Sequence, residues 1–230
     1  MYKLTLFTKP RDFVKHPPKE KQTKTNKPFE DFDDSIQKSI SRSRAMIFDY
    51  VKCNDFDLFV TFTFDPDKID RYNMAHCFSQ MQKWLWSQQR KHDGDLRYII
   101  VPEHHKDGAI HFHALIGGYK HQLKKTNVLG DKSRKRVYNM TQFTWGFTNV
   151  QKLDDDQQKT TAYICKYIGK EFDNVINRRR YWASKNLRKP IKHYNRMHDW
   201  SLWPDLQNQV FQNDALAIYE IPKTAAELFD

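Results

Sequence analysis

Cysteine is scarce in this chain. Only Cys53, Cys77 and Cys165 occur in 230 residues, none in a CxxC spacing. That argues against a disulfide framework and against a cysteine zinc site. No apolar run is long enough to span a bilayer, so no membrane-embedded partner is expected. The opening residues, MYKLTLFTKPRDF, hold no signal-peptide core and no small-residue cleavage site. A reducing, cytoplasmic compartment is the expectation. Acidic residues are outnumbered, 28 against 39 Lys and Arg, which leaves a net charge of +11 and a pI near 9.4. A balance this basic calls for a polyanionic partner, nucleic acid or an anionic membrane surface. Aromatics, at 14%, are plentiful. Most must be core, and the rest are available to stack on bases.

The length suits one core domain with extensions, or two small domains. Residues 2–8 read as a short strand. Residues 15–28, KHPPKEKQTKTNKP, are a basic linker or arm with almost nothing apolar. A helix is predicted over 33–52, with Asp33, Asp34 and Ser35 as its N-cap region. Leu58 to Phe64, LFVTFTF, is a strand. A helix follows over 72–91, burying Met74, Phe78, Met81, Leu85 and Trp84. Leu96 to Val101 is a strand ending at Pro102-Glu103. A turn over His104–Gly108 returns the chain into a strand over 110–116. His76 and His92 read as surface or helix residues. Residues 119–140 form a basic loop or short ribbon. Phe143 to Leu153 is a further strand, with a bulge expected at Gly146. Asp154-Asp155-Asp156 opens a helix. This order predicts an α+β fold, a mostly antiparallel sheet with helices mainly on one face. The expected divisions are an N-terminal extension over 1–54, a core domain over 55–190 and a C-terminal extension over 191–230.

Two constellations carry chemistry. In Ala162 to Glu171, AYICKYIGKE, two tyrosines stand four residues apart and each has a lysine three residues on. On a helix Tyr163 and Tyr167 share a face, with Lys166 and Lys170 about a turn further along. A phenol becomes a nucleophile when its pKa falls or a group takes its proton, and a nearby ammonium favours phenolate. A helix with a Tyr/Ile face packed on a sheet accounts for the same pattern. In the second constellation, His111 and His113 alternate with Phe112 on a strand, so both imidazoles point to one side. A hairpin brings the Glu103 carboxylate near them. Two histidines and a carboxylate suit a divalent metal with open positions. A polar strand face is the competing reading, and His104 and His105 are rival ligands.

Together these motifs resemble the HUH endonucleases, in particular the rolling-circle replication initiators with two tyrosines found in phages and plasmids. Three motifs stand in the family's order. Phe59-Val60-Thr61-Phe62-Thr63-Phe64 is similar to its first strand. Glu103 with His111-Phe112-His113 matches the metal motif. Tyr163-Ile164-Cys165-Lys166 matches the tyrosine motif, and Tyr167-Ile168-Gly169-Lys170 repeats it. The likeness covers about residues 55–190. It implies a central five-stranded antiparallel sheet with flanking helices. It implies Mn²⁺ or Mg²⁺ on His111, His113 and Glu103. It also implies attack by a tyrosine on single-stranded DNA at a replication origin, inside a bacterial host cell, with host helicase and polymerase as further partners. No Walker A sequence is present, so a fused helicase is not expected. Phosphate contacts are assigned to Lys124, Lys125, Arg134, Arg136, Arg178, Arg179 and Arg180.

Two alternatives remain open. One is an HUH transposase or relaxase; the paired tyrosines favour an initiator over the first, and Glu103 in place of a third histidine disfavours the second. The other is a non-catalytic module with an RNA-recognition-like sheet, whose stacking platform would be Thr61, Phe62 and Phe64.

Overall fold

A computed structural model describes residues 2–7, 30–129, 136–153, 164, 180–190, 209–212 and 216–221. The chain divides into two compact units, Lys27–Ile191 and a smaller one built from Met1–Asn26 with Lys192–Asp230.

Among the described residues, the larger unit is organised by a seven-stranded antiparallel sheet with the helices α1 (Glu30–Cys53) and α2 (Met74–Lys91) packed on it. Its strands are β2 (Leu58–Phe64), β3 (Arg97–His104), β4 (Ile110–Gly117), β5 (Lys124–Leu129), β6 (Arg136–Asn139), β7 (Gly146–Lys152) and the short β8 (Trp182–Ala183). The strand order is β5-β6-β7-β2-β4-β3-β8, with every pairing antiparallel. The expected α+β sheet is present, and it gains strands from the basic ribbon and from β8. In the smaller unit, β1 (Tyr2–Phe7) pairs with β10 (Leu216–Ile221), which pairs with β9 (Gln209–Gln212).

Helices cover both faces of the larger sheet rather than mainly one. The cause is visible in β2, β3 and β4, whose apolar residues do not alternate with polar ones along their whole length. Val60, Phe62 and Phe64 of β2, Ile100 of β3 and Phe112, Ala114 and Ile116 of β4 pack with Cys77, Met81, Trp84 and Leu85 of α2. On the opposite face, Phe59, Ile99, Val101 and Leu115 pack with Ile40, Ile47 and Val51 of α1. A strand that is apolar on both sides needs a cover on each.

Boundaries moved for local reasons. The backbone of α1 starts at Glu30, so Asp33 to Ser35 lie inside the helix rather than at its cap. α2 starts one residue after Asn73, whose side chain accepts the His76 N–H at 3.1 Å, an N-cap bond. β3 runs on through Pro102 to His104. The Tyr98 carbonyl accepts from Ser184 on the β8 side, and Pro102, four residues on, shares that orientation. It therefore turns its missing N–H toward the sheet edge beyond β8, where strand proline is tolerated. β7 begins at Gly146 because residues 140–145 are spent on a turn, in which the Phe143 N–H bonds the Met140 carbonyl. Gly146 is not at a bulge: it pairs in register with Phe64. A Cβ there would stand 2.1 Å from the Thr63 carbonyl oxygen, so the strands approach too closely for any side chain. Residues 119–140 contain the β5–β6 ribbon. Among the described residues no helix is long and apolar enough to cross a membrane.

Candidate active site

The pleat decides which side chains meet. β4 lies between β2 and β3, with Thr61 opposite His113, Thr63 opposite His111, and Glu103 opposite His111. All five side chains project from the face covered by α1, because the alternate residues Phe62, Phe112 and Ala114 are in the cluster under α2.

The threonines orient the imidazoles. Thr61 Oγ1 lies 3.1 Å from His113 Nδ1, and Thr63 Oγ1 lies 3.5 Å from His111 Nδ1. Each ring is thus held through Nδ1. His113 Nε2 stands 2.6 Å from Glu103 Oε2, with the two side chains 7% and 16% exposed. A carboxylate accepts, so in the neutral ring Nε2–H donates to Glu103 and Nδ1 accepts from the Thr61 hydroxyl. The Phe59 ring lies nearly parallel to His113, centroids 6.0 Å apart. His111 stacks on His105 at 4.9 Å. Burial, followed by the neighbouring His105 and His113, holds the His111 pKa down at about 4. Its imidazole is therefore neutral at ordinary pH, the form that ligates metal.

Among the described residues, no three His, Cys, Asp or Glu side chains are grouped so as to hold a metal ion. The donor set itself, two imidazoles and a carboxylate, fits the chemistry of a divalent site once the His113 proton sits on Nδ1, donating to the Thr61 hydroxyl and freeing Nε2 as a ligand. Of the rival ligands, His104 falls out by parity. It is opposite Ile110, which belongs to the cluster under α2. His105 remains beside His111, with its Nδ1 3.2 Å from Asp107 Oδ1.

Tyr163, Tyr167, Lys166 and Lys170 lie outside the described residues, as do Arg134, Arg178 and Arg179. Ile164 is described. It is helical, fully buried, and part of the cluster formed by Phe59, Val101 and Leu115, on the face that carries the histidines. Lys124, Lys125 and Arg136 are exposed on the β5–β6 ribbon. Arg180 is half-buried and donates from Nε to Ser39 Oγ at 3.2 Å, tying its segment to α1.

Two readings of aromatic and histidine residues change. Phe62 and Phe64 are 0% and 1% exposed beneath α2, so they form no stacking platform. His92 is buried at the end of α2, its Nδ1 2.7 Å from the Gln88 carbonyl. Sequence reasoning missed the anchoring role of Thr61 and Thr63. The signal was a Thr-x-Thr strand facing a His-x-His strand of the same two-residue period.

The family model for the replication-associated protein ORF2 matches residues 57–172, half of the chain. The chain belongs to this family. The matched segment of this replication-associated protein begins one residue before β2, spans the Thr/His/Glu face and ends beyond both tyrosines. Membership supports a replication-initiator role and the DNA binding that such a role requires. No curated protein and no solved structure matches the chain.

Proposed function

We propose that this replication-associated protein nicks and rejoins single-stranded DNA at a replication origin, through a 5′-phosphotyrosine, to start rolling-circle synthesis. The observation that carries the reading is Ile164. The residue next to Tyr163 is buried in the cluster on the same sheet face as His111, His113 and Glu103.

The chain's own groups have distinct tasks. A Tyr163 phenolate attacks the scissile phosphorus. The new Tyr O–P bond forms as the bond from phosphorus to the 3′ oxygen breaks, and that oxygen takes a proton to become a free 3′ hydroxyl. Lys166 steadies the phenolate or supplies that proton, and Lys170 does the same for Tyr167. In the reverse step a 3′ hydroxyl attacks the phosphotyrosine, the phosphodiester reforms and the phenol is released. His111, His113 and Glu103 would hold Mn²⁺ or Mg²⁺. Such an ion, when bound, polarises the phosphate and offsets its developing charge. Thr61 and Thr63 fix the imidazoles, and the exposed basic ribbon holds DNA by its phosphates.

His111→Ala or His113→Ala should abolish nicking and leave DNA binding nearly intact, since binding rests on the basic surface. Denaturing electrophoresis after incubation with a fragment of the encoding replicon should reveal a covalent adduct that maps to Tyr163 or Tyr167. An adduct on neither, or full nicking by the double histidine variant in chelator, overturns the reading. One observation favours a relaxase-like ligand set instead: the His105 ring lies against His111. Under that reading His105→Ala, rather than Glu103→Ala, is the variant that loses metal activation.

A further inference from the structure

Phe147 is 66% exposed, the most exposed of the large apolar side chains in the described residues. A lone surface phenylalanine needs no explanation. This one stands in a particular row. Across the sheet, Phe147 of β7 faces Thr63 of β2, Thr63 faces His111 of β4, and His111 faces Glu103 of β3. Its neighbours along β7, Thr148 and Val150, are buried toward α2, so the Phe147 ring projects from the face that carries the histidines. Two strand spacings, about 10 Å, separate it from His111.

We infer that Phe147 is a nucleobase-stacking site, seating a base of the single-stranded DNA within a few nucleotides of the scissile phosphate. The surroundings select a base over a protein or lipid partner. On this face the adjacent positions are the exposed Asn149 and the hydroxyl-bearing Thr63. Among the described residues the ring is thus a single apolar platform with a polar rim, rather than part of the contiguous patch that protein docking uses. Basic groups lie on the path to it. The Lys124, Lys125 and Arg136 ribbon is on the far side of β7, and Lys68 reaches the Thr144 carbonyl just before β7 with its side chain 53% exposed. β6 pairs in register with β7 at Val150 and ends at Asn139, whose side chain accepts from the Thr148 N–H, so among the described residues the ribbon's strand pairing stops short of Phe147. Every base has a π-face, so stacking supplies affinity while phosphate contacts supply the track.

The inference takes its substrate from the proposed nicking reaction, and the test separates the two. Binding of wild type, Phe147→Ala, Phe147→Leu and Phe147→Tyr is measured by fluorescence anisotropy. The ligands are single-stranded oligonucleotides tiling the encoding replicon, intact or with one abasic site stepped along the tightest binder. Nicking is followed in parallel. Phe147→Ala should weaken binding by about 5- to 150-fold, the equivalent of one stacked base. Phe147→Leu should resemble Ala, and Phe147→Tyr should resemble wild type. One abasic position should weaken wild type alone, erasing the difference between it and Phe147→Ala. Affinity within twofold of wild type for Phe147→Ala, a loss that no abasic position reproduces, or a changed oligomeric state overturns the inference while nicking by wild type stands. Phe147-dependent binding by a wild type that forms no adduct sustains the stacking site and removes the nickase reading. A wild type that binds none of the oligonucleotides sinks both.

Discussion

Thr61 and Thr63 do for the histidines what the rings cannot do alone. An imidazole on a strand rotates about its Cβ, and a hydroxyl at Nδ1 fixes which nitrogen points into the site. Thr61→Val keeps the shape and removes only the bond to His113 Nδ1 at 3.1 Å. The Mn²⁺ concentration that half-activates nicking should then rise about 10- to 100-fold, with the rate at saturating metal nearly unchanged. A metal titration of nicking checks this; an unchanged half-activation point would show that Thr61 is only packing. Mn²⁺ should also activate better than Mg²⁺, because Mg²⁺ prefers oxygen ligands and keeps its waters. His111 adds a pH effect. Its folded pKa, about 4, lies below the ordinary 6.5. Between those values the unfolded chain binds the proton and the folded chain does not. Stability from this residue is therefore complete above about pH 6.5 and is lost as pH falls toward 4. The titratable groups facing it are His105, His113, Asp107 and Glu103. Chemical denaturation in chelator at pH 7 and pH 5 should give a smaller difference for His111→Gln than for wild type; equal differences would refute the burial effect.

At the scale of elements, β4 is the pivot. It is paired on both sides, which fixes its register against β2 and β3 at once. A slip of one residue would turn both imidazoles under α2. The tyrosine segment adds a question of geometry. On a helix, Tyr163 and Tyr167 are one turn apart, about 6 Å along the axis. One phenol at a time can be in line with a fixed phosphate. Tyr163, the N-terminal member, is the expected principal nucleophile. Tyr163→Phe keeps the ring and removes the hydroxyl, so lost nicking could not come from a cavity. If Tyr163 acts alone, Tyr163→Phe is inert and Tyr167→Phe is near normal. If the two alternate, each single variant nicks and neither completes strand transfer. Peptide mapping of the adduct separates the outcomes.

At the scale of the molecule, charge sets the behaviour. With +11 over 230 residues, binding to DNA should be driven by counterion release. The log of the association constant should fall by about 0.7 per single-strand phosphate neutralised for each tenfold rise in salt. Neutralising Lys124, Lys125 and Arg136 together should flatten that slope. A slope already flat in the wild type would mean that these residues form only a solvated surface. The smaller unit joins residues 2–7 to residues 216–221 and 209–212 in one sheet, so truncating either terminus should disturb the strands of the other.

The linear chain by itself determined the order of β1, α1, β2, α2, β3, β4 and β7, the His-x-His face and the carboxylate within reach of it. Those follow from period-2 and period-3.6 patterning and from turn chemistry, all of which are local. It did not determine that helices cover both faces, that Phe62 and Phe64 lie beneath α2, or that His92 is buried. Those depend on which side of the pleat each neighbouring element occupies. Nor could it align Phe147, Thr63, His111 and Glu103. These four come from four strands separated by loops of different length, and only antiparallel hydrogen bonding, which pairs residues by register rather than by sequence distance, makes them one row.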